Sequence, residues 1–190
     1  MLKQNKKLCN KCNKNTTLHT YCKKCFLHIV EKRIRKNIRI NIGFKKNDRV
    51  LIMEPICKHF ISKFSNLINI QYIPKSKFGI KKWNDKIYIN KLLIEYINNN
   101  KIKYTFIPLT INNEVSLYIE SLFKGLKPKS INNKNKIYQL FNTITSEELL
   151  RFCNYKKIKY IPEKSKINDF INDIEKRYPG TIFSMKHAIE

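Results

Sequence analysis

The sequence predicts an α/β fold: a parallel sheet covered on both faces, preceded by a small four-cysteine zinc ribbon. Three observations carry that expectation. Short apolar runs alternate with helically periodic segments from residue 48 onward, capping signals mark several helix ends, and two CxxC pairs stand together near the start.

The ribbon comes first. Cys9-Asn10-Lys11-Cys12 is followed after nine residues by Cys22-Lys23-Lys24-Cys25. In a CxxC turn two sulfurs converge on one metal, and two such turns complete the tetrahedral thiolate shell that zinc prefers. The spacing predicts one structural Zn2+ held by Cys9, Cys12, Cys22 and Cys25. Lys11, Lys23 and Lys24 place positive charge around it, which lowers thiol pKa values and offsets the net negative charge of a zinc tetrathiolate. A redox CxxC is disfavoured because the two pairs are so close and no thioredoxin-like strand precedes them. An iron–sulfur cluster is the other minority reading. His19 has the chemistry to replace a cysteine, but four thiolates satisfy zinc, which leaves His19 and His28 as surface residues. A closed four-ligand site leaves no position for water or substrate, so its role is structural and not catalytic.

Residues 26–39 then form an amphipathic helix with Leu27, Val30, Ile34 and Ile38 on one face. The opposite face carries Lys32, Arg33, Arg35, Lys36 and Arg39, five cations expected to have no matching acids and therefore to suit phosphate contact. Strands are expected at 49–53, 67–73 and 103–109, and helices at 55–64, 85–98 and 113–124, the last stopped by Gly125. Residues 130–136 are polar and linker-like. Thr145-Ser146-Glu147-Glu148 is a capping box before a helix at 149–155. Lys159-Tyr160-Ile161 suggests a further short strand. A last helix begins near Ser165, with Ile167, Phe170, Ile171, Ile174 and Tyr178 as one buried stripe, and Pro179-Gly180 ends it. Two units follow from this order: 1–40, ribbon and basic helix, and 45–190, the α/β domain.

Composition bounds the function. With 39 Lys and Arg against 14 Asp and Glu, the 190-residue chain carries a formal charge of +25. Such a field attracts polyanions, and counterion release makes nucleic acid the natural partner, with an acidic membrane surface the weaker competitor. Abundant Lys, Asn and Ile also match adenine- and thymine-rich codons, so part of the excess reflects base composition. No apolar run approaches the roughly 20 residues that span a bilayer, and residues 1–7 lack the apolar core of a secretory signal, so the chain is read as soluble and intracellular. Cys57 and Cys153 stand apart from the other four cysteines, a pattern unlike a disulfide framework.

The order of pieces resembles the cytosolic tRNA wobble-uridine 2-thiolation proteins of the PP-loop superfamily. The resemblance rests on the double CxxC ribbon, on Val30-Glu31-Lys32-Arg33-Ile34-Arg35-Lys36, and on the first strand near Val50 that opens an α/β domain. Further similar stretches are Asn112-Asn113-Glu114 through Phe123-Lys124-Gly125, residues 147–160, and Asp173-Ile174-Glu175-Lys176-Arg177-Tyr178-Pro179-Gly180-Thr181. It implies a PP-loop-like, adenine nucleotide alpha hydrolase-like domain.

Enzymes of that family follow the first strand with a Ser-Gly-Gly-x-Asp-Ser loop that cradles ATP phosphates. Here the place reads Met53-Glu54-Pro55-Ile56-Cys57-Lys58, without glycine and with a repelling carboxylate. Their second sulfur-handling region, a Cys-Pro pair, reads Ile161-Pro162-Glu163-Lys164. Cys57 and Cys153 fall on predicted helices as small buried hydrophobes. The implied protein is a subunit with no catalytic and no cofactor-binding residues beyond the zinc ligands. It would be cytoplasmic, bind tRNA through the basic helix, and form a heterodimer with an active thiolase paralogue and, through it, meet a ubiquitin-like sulfur carrier. An unusual ATP-dependent thiolase using Cys57 or Cys153, and a free-standing zinc-ribbon RNA- or DNA-binding protein, are the alternatives.

Overall fold

The computed structural model describes residues 7–16, 20–83, 90–125, 136–163 and 165–189. Two short antiparallel strands, β1 (Lys7–Leu8) and β2 (Asn15–Thr16), precede helix α1 (Lys23–Asn41). The α/β domain then runs β3 (Asp48–Ile52), α2 (Pro55–Ile61), β4 (Ile68–Tyr72), α3 (Lys91–Asn99), β5 (Tyr104–Thr110), α4 (Ile111–Phe123), β6 (Ile137–Phe141) and α5 (Ser146–Lys156). Helices α6 (Lys166–Arg177) and α7 (Thr181–Ile189) close the chain.

The four longer strands form a parallel sheet in the order β4-β3-β5-β6. Parallel strands are buried on both faces, and the alternation of side chains divides the core accordingly. Val50 and Ile52 of β3 point to one side, where they meet α1, α2 and α5. Leu51 and Met53 point to the other, against Phe78, Leu93, Ile97 and Trp83. A third cluster, Ile111, Val115, Ile171 and Ile182, holds α6 and α7 onto α4. β5 is buried at every residue and contains Pro108, which donates no ladder hydrogen bond. Its pairing with β6 slips between Ile107 and Thr110, where that proline sits.

Several expected features are present. α5 begins with the capping box, Glu148 N–H donating to Thr145 Oγ1 at 3.1 Å and Thr145 N–H to Glu148 Oε2 at 3.0 Å. Gly125 takes the left-handed φ of 64° that ends α4. Ser165 caps α6 by accepting from Asn168 N–H at 3.0 Å.

Other features differ. β6 and α7 were not expected. Residues 159–161 are extended but pair with no strand. α3 starts at Lys91, because the Asn90 side chain caps it by accepting from Leu93 N–H at 2.9 Å; residues 85–89 of the expected helix lie outside the described residues, as does most of the expected linker. On α6 only Ile171 of the anticipated stripe is fully buried, while Phe170 is 58% and Tyr178 68% exposed. α7 and the α4 contact cover a narrower strip of α6 than the sequence spacing suggests.

α1 is held to the core by one stripe. Val30, Ile34 and Ile38 are fully enclosed, with Phe26 close behind, and each such side chain stabilises the fold by about 1.5–3 kcal/mol. Arg33 of α1 reaches α5, pairing with Glu148 and donating to the Thr143 carbonyl. Ile34→Ala should therefore lower the unfolding free energy by about 2–5 kcal/mol in urea titration. Phe170→Ala should change it by less than about 0.5 kcal/mol, because its ring already stands in water.

Candidate metal centre and nucleic-acid interface

The two knuckles are assembled by different local structures. The first is a tight turn between β1 and β2. Cys9 N–H bonds the Lys14 carbonyl and Asn13 N–H bonds the Cys9 carbonyl, each at 2.9 Å, with Asn13 in the left-handed region at φ 55° that asparagine tolerates. The second is the start of α1, where Cys22 is the N-cap and Cys25 lies in the first turn. Asn10 N–H ties the turns together by donating to the Thr20 carbonyl at 2.9 Å.

The four sulfurs converge. All lie within 4.8 Å of one another, and Cys12 Sγ is 3.6 Å from Cys22 Sγ. Electrostatics favours a cation among them. Burial acts to raise the Cys9 thiol, but N–H groups of Cys22, Lys11 and Cys12 outweigh it and bring it down to about 6. The Cys25 N–H, at the head of the helix, lowers Cys22 against burial. Burial and the three neighbouring sulfurs push Cys25 up to about 12. Four thiolates do not coexist here without a positive ion between them. A divalent ion on four thiolates would leave a net charge of minus two at the N-terminus of α1, a helix with no acid in its first turn and with Lys23 and Lys24 there. His28 is exposed, and His19 lies outside the described residues.

The outer face of α1 presents Lys24, His28, Lys32, Arg35, Lys36 and Arg39, all exposed, in a line of about 22 Å running from the thiol cluster. The expected set is not wholly unmatched. Arg33 is half-buried in its bridge to Glu148, and Arg35 lies 3.5 Å from Glu31. Lys32, Lys36 and Arg39 have no acidic partner among the described residues.

The carboxyl ends of β3 and β5 form the topological switch point, where ligands of open α/β sheets bind. In this chain that edge carries side chains that pair with one another. Lys75 Nζ, on the turn after β4, lies 3.7 Å from Glu54 Oε1 and 3.4 Å from Glu163 Oε1, and 4.9 Å from the centre of the Trp83 ring. Glu163 Oε1 also accepts the Trp83 N–H at 3.1 Å. Beside them, Thr110 Oγ1 bonds Asn113 Oδ1 and Ser146 Oγ at 2.7 Å each, and Asn112 links Ser146 N–H to Asn172. Pro55 occupies the first turn of α2, so one backbone donor is missing from the end that would face a phosphate. Cys57 and Cys153 are buried in the core beneath, both thiols raised by burial, Cys153 to about 12. The Glu54, Lys75 and Glu163 grouping was missed from sequence, because its members come from three distant segments.

Fold and site together define a class: a four-stranded parallel α/β domain that carries an N-terminal four-thiol knuckle and a cationic helix. No protein-family model and no curated protein matches the sequence. Among solved structures, the U34-tRNA thiolase NcsA from Methanococcus maripaludis, determined with its 4Fe-4S cluster, is similar with a TM-score of 0.64 and 15% identity, over 99% of this chain and 87% of that one. The likeness shows an NcsA-like fold. Among the described residues no helix is long and apolar enough to cross a membrane.

Protein purified without chelator should carry about one equivalent of metal by elemental analysis. Cys12→Ser should lose it and lose amide protection across residues 7–25, while the sheet remains protected. Full metal occupancy in Cys12→Ser would show that these sulfurs are not the site.

Proposed function

We propose that this chain is a non-catalytic subunit of a cytoplasmic tRNA wobble-uridine (U34) 2-thiolation complex. In this reading residues 1–40 hold one structural zinc and contact tRNA. Residues 45–190 pair with an active paralogue, which supplies the nucleotide chemistry and meets a ubiquitin-like sulfur carrier. The fold likeness to a U34-tRNA thiolase supports the reaction context, and the thiol knuckle leading into a cationic helix supports RNA contact.

The observation that carries the non-catalytic part is the pairing of Lys75 with Glu54 and Glu163 at the carboxyl edge. A phosphate there would meet Glu54, find Lys75 already neutralised by two carboxylates, and lack the glycine backbone that allows close approach. A cysteine that carries sulfur must be reachable as its thiolate, and both Cys57 and Cys153 are buried thiols with raised pKa. That argues against the enzyme reading.

Zinc is favoured over a cluster by size. Around one zinc with bonds of about 2.3 Å, tetrahedral sulfurs stand about 3.8 Å apart, close to the 3.6 Å between Cys12 and Cys22. A 4Fe-4S cluster gives each thiolate its own iron and spreads the four further.

RNA contact through α1 is tested with Lys36→Gln/Arg39→Gln, which removes two unpaired cations while leaving the buried face intact. Affinity for a tRNA transcript should fall, and the slope of log K against log salt should flatten by about two units. Lys157→Gln/Lys159→Gln, exposed lysines off this face, serves as the control. Equal losses in the two double variants would reduce the charge to a diffuse field and end the α1 assignment.

A further inference from the structure

Residues 55–83 contain six lysines and not one aspartate or glutamate, the next acid being Asp85. The fold brings one of these cations to the edge of the sheet. Lys58 on α2 and Tyr72 at the end of edge strand β4 meet there, Lys58 Nζ standing 5.9 Å from the tyrosine ring centre. The turn that follows β4 adds Lys77, Lys81 and Lys82, all exposed. Tyr72 is itself 44% exposed, an aromatic face open to solvent among cations. Lys75, by contrast, is taken up by Glu54 and Glu163.

A second group of cations lies where α1, α2 and α5 meet. Arg35 of α1 and Lys63, just past α2, both reach Glu31 Oε2 at 3.5 Å, and Lys156 reaches Oε1 at 3.2 Å. Burial acts to raise the Glu31 carboxyl, but Lys156, Lys63 and Arg35 together hold it below the usual range. One carboxylate thus gathers three cations and leaves a local excess of positive charge. Cations thus stand along α1, around Glu31, and on α2 beside Tyr72.

Resting on the tRNA-binding reading, we propose that Tyr72, backed by Lys58, is a stacking platform for an unpaired base of the RNA whose phosphates these cations meet. Phosphates suit the lysines and arginines around it. An exposed ring beside them suits a splayed base, because every base has a π-face and stacks without sequence preference. A duplex, whose bases are stacked within it, offers nothing to that ring.

The test uses the full chain at physiological ionic strength with three RNA probes: a tRNA transcript, a 12-nucleotide single strand and a blunt 12-base-pair duplex. Tyr72→Ala should weaken tRNA and single-strand binding about tenfold, the scale of one lost stacked base, and leave the duplex unchanged. Tyr72→Phe should restore affinity, and neither variant should alter the salt slope, because no ion pair is lost. Lys81→Gln/Lys82→Gln should flatten the slope by about two units.

Wild-type affinity in Tyr72→Ala, while Lys36→Gln/Arg39→Gln still weakens tRNA binding, would overturn the platform and leave the α1 contact standing. Loss of effect in both would overturn both. Equal weakening on duplex and single strand would also overturn stacking. Tighter, Tyr72-dependent binding to phosphatidylserine vesicles than to any RNA would make this surface a membrane face and overturn the assignment.

Discussion

Burial of one stripe of α1 is the constraint from which the other surfaces take their positions. Val30, Ile34 and Ile38 are enclosed against the same cluster that receives Val50 and Ile52 of β3 and Phe106 of β5. Because 3.6 residues make a turn, fixing that stripe fixes the rotation of the whole helix and turns Lys32, Lys36 and Arg39 outward. It also fixes the axial position of the helix N-terminus, where Cys22 and Cys25 meet the first knuckle. The second half of the four-thiol cluster and a line of cations are therefore carried on one helix, and that helix packs against the sheet.

Electrostatics is managed in the same economical way. With 14 acids against 39 basic residues, each described acid near the α1 and switch-point surfaces has a structural task. Glu31 collects Arg35, Lys63 and Lys156, and Glu148 caps α5 while bridging to Arg33. Glu54 and Glu163 converge on Lys75 at the switch point. Half-buried pairs of this kind contribute modestly to stability, but they decide where positive charge remains uncompensated. Lys32, Lys36 and Arg39 of α1 are left exposed without an acidic partner among the described residues. Lys75, at the carboxyl edge of the sheet, is paired.

Much of the fold was legible because the signals were local. The CxxC pairs, the apolar stripe of α1, Gly125 and the Thr145 capping box each declare themselves within a few residues. β6 was not, since Ile137-Tyr138-Gln139-Leu140-Phe141 follows a polar Asn and Lys stretch and interrupts its apolar run with Gln139, giving neither clean alternation nor an uninterrupted hydrophobic core. α7 was hidden behind Pro179-Gly180, which reads as an end. Its first turn is held by Glu175 of α6, whose carboxylate accepts from Gly180 and Ile182 N–H at 2.8 and 2.9 Å, a tertiary cap that no adjacent residue announces. The same limit applies to the site. The thiol cluster is two short motifs and was visible; Arg33 and Glu148 are 115 positions apart and Lys75 and Glu163 are 88, and only the folded chain brings them together.

In the function proposed above, the switch point of this α/β domain takes no nucleotide and the α1 face takes RNA. The most direct test is isothermal titration of the intact chain with ATP and magnesium, with and without tRNA. The account predicts no measurable heat of binding in either case. Micromolar ATP binding that disappears when Lys75 or a residue beside Pro55 is substituted would contradict it, and would return the chain to the enzymes.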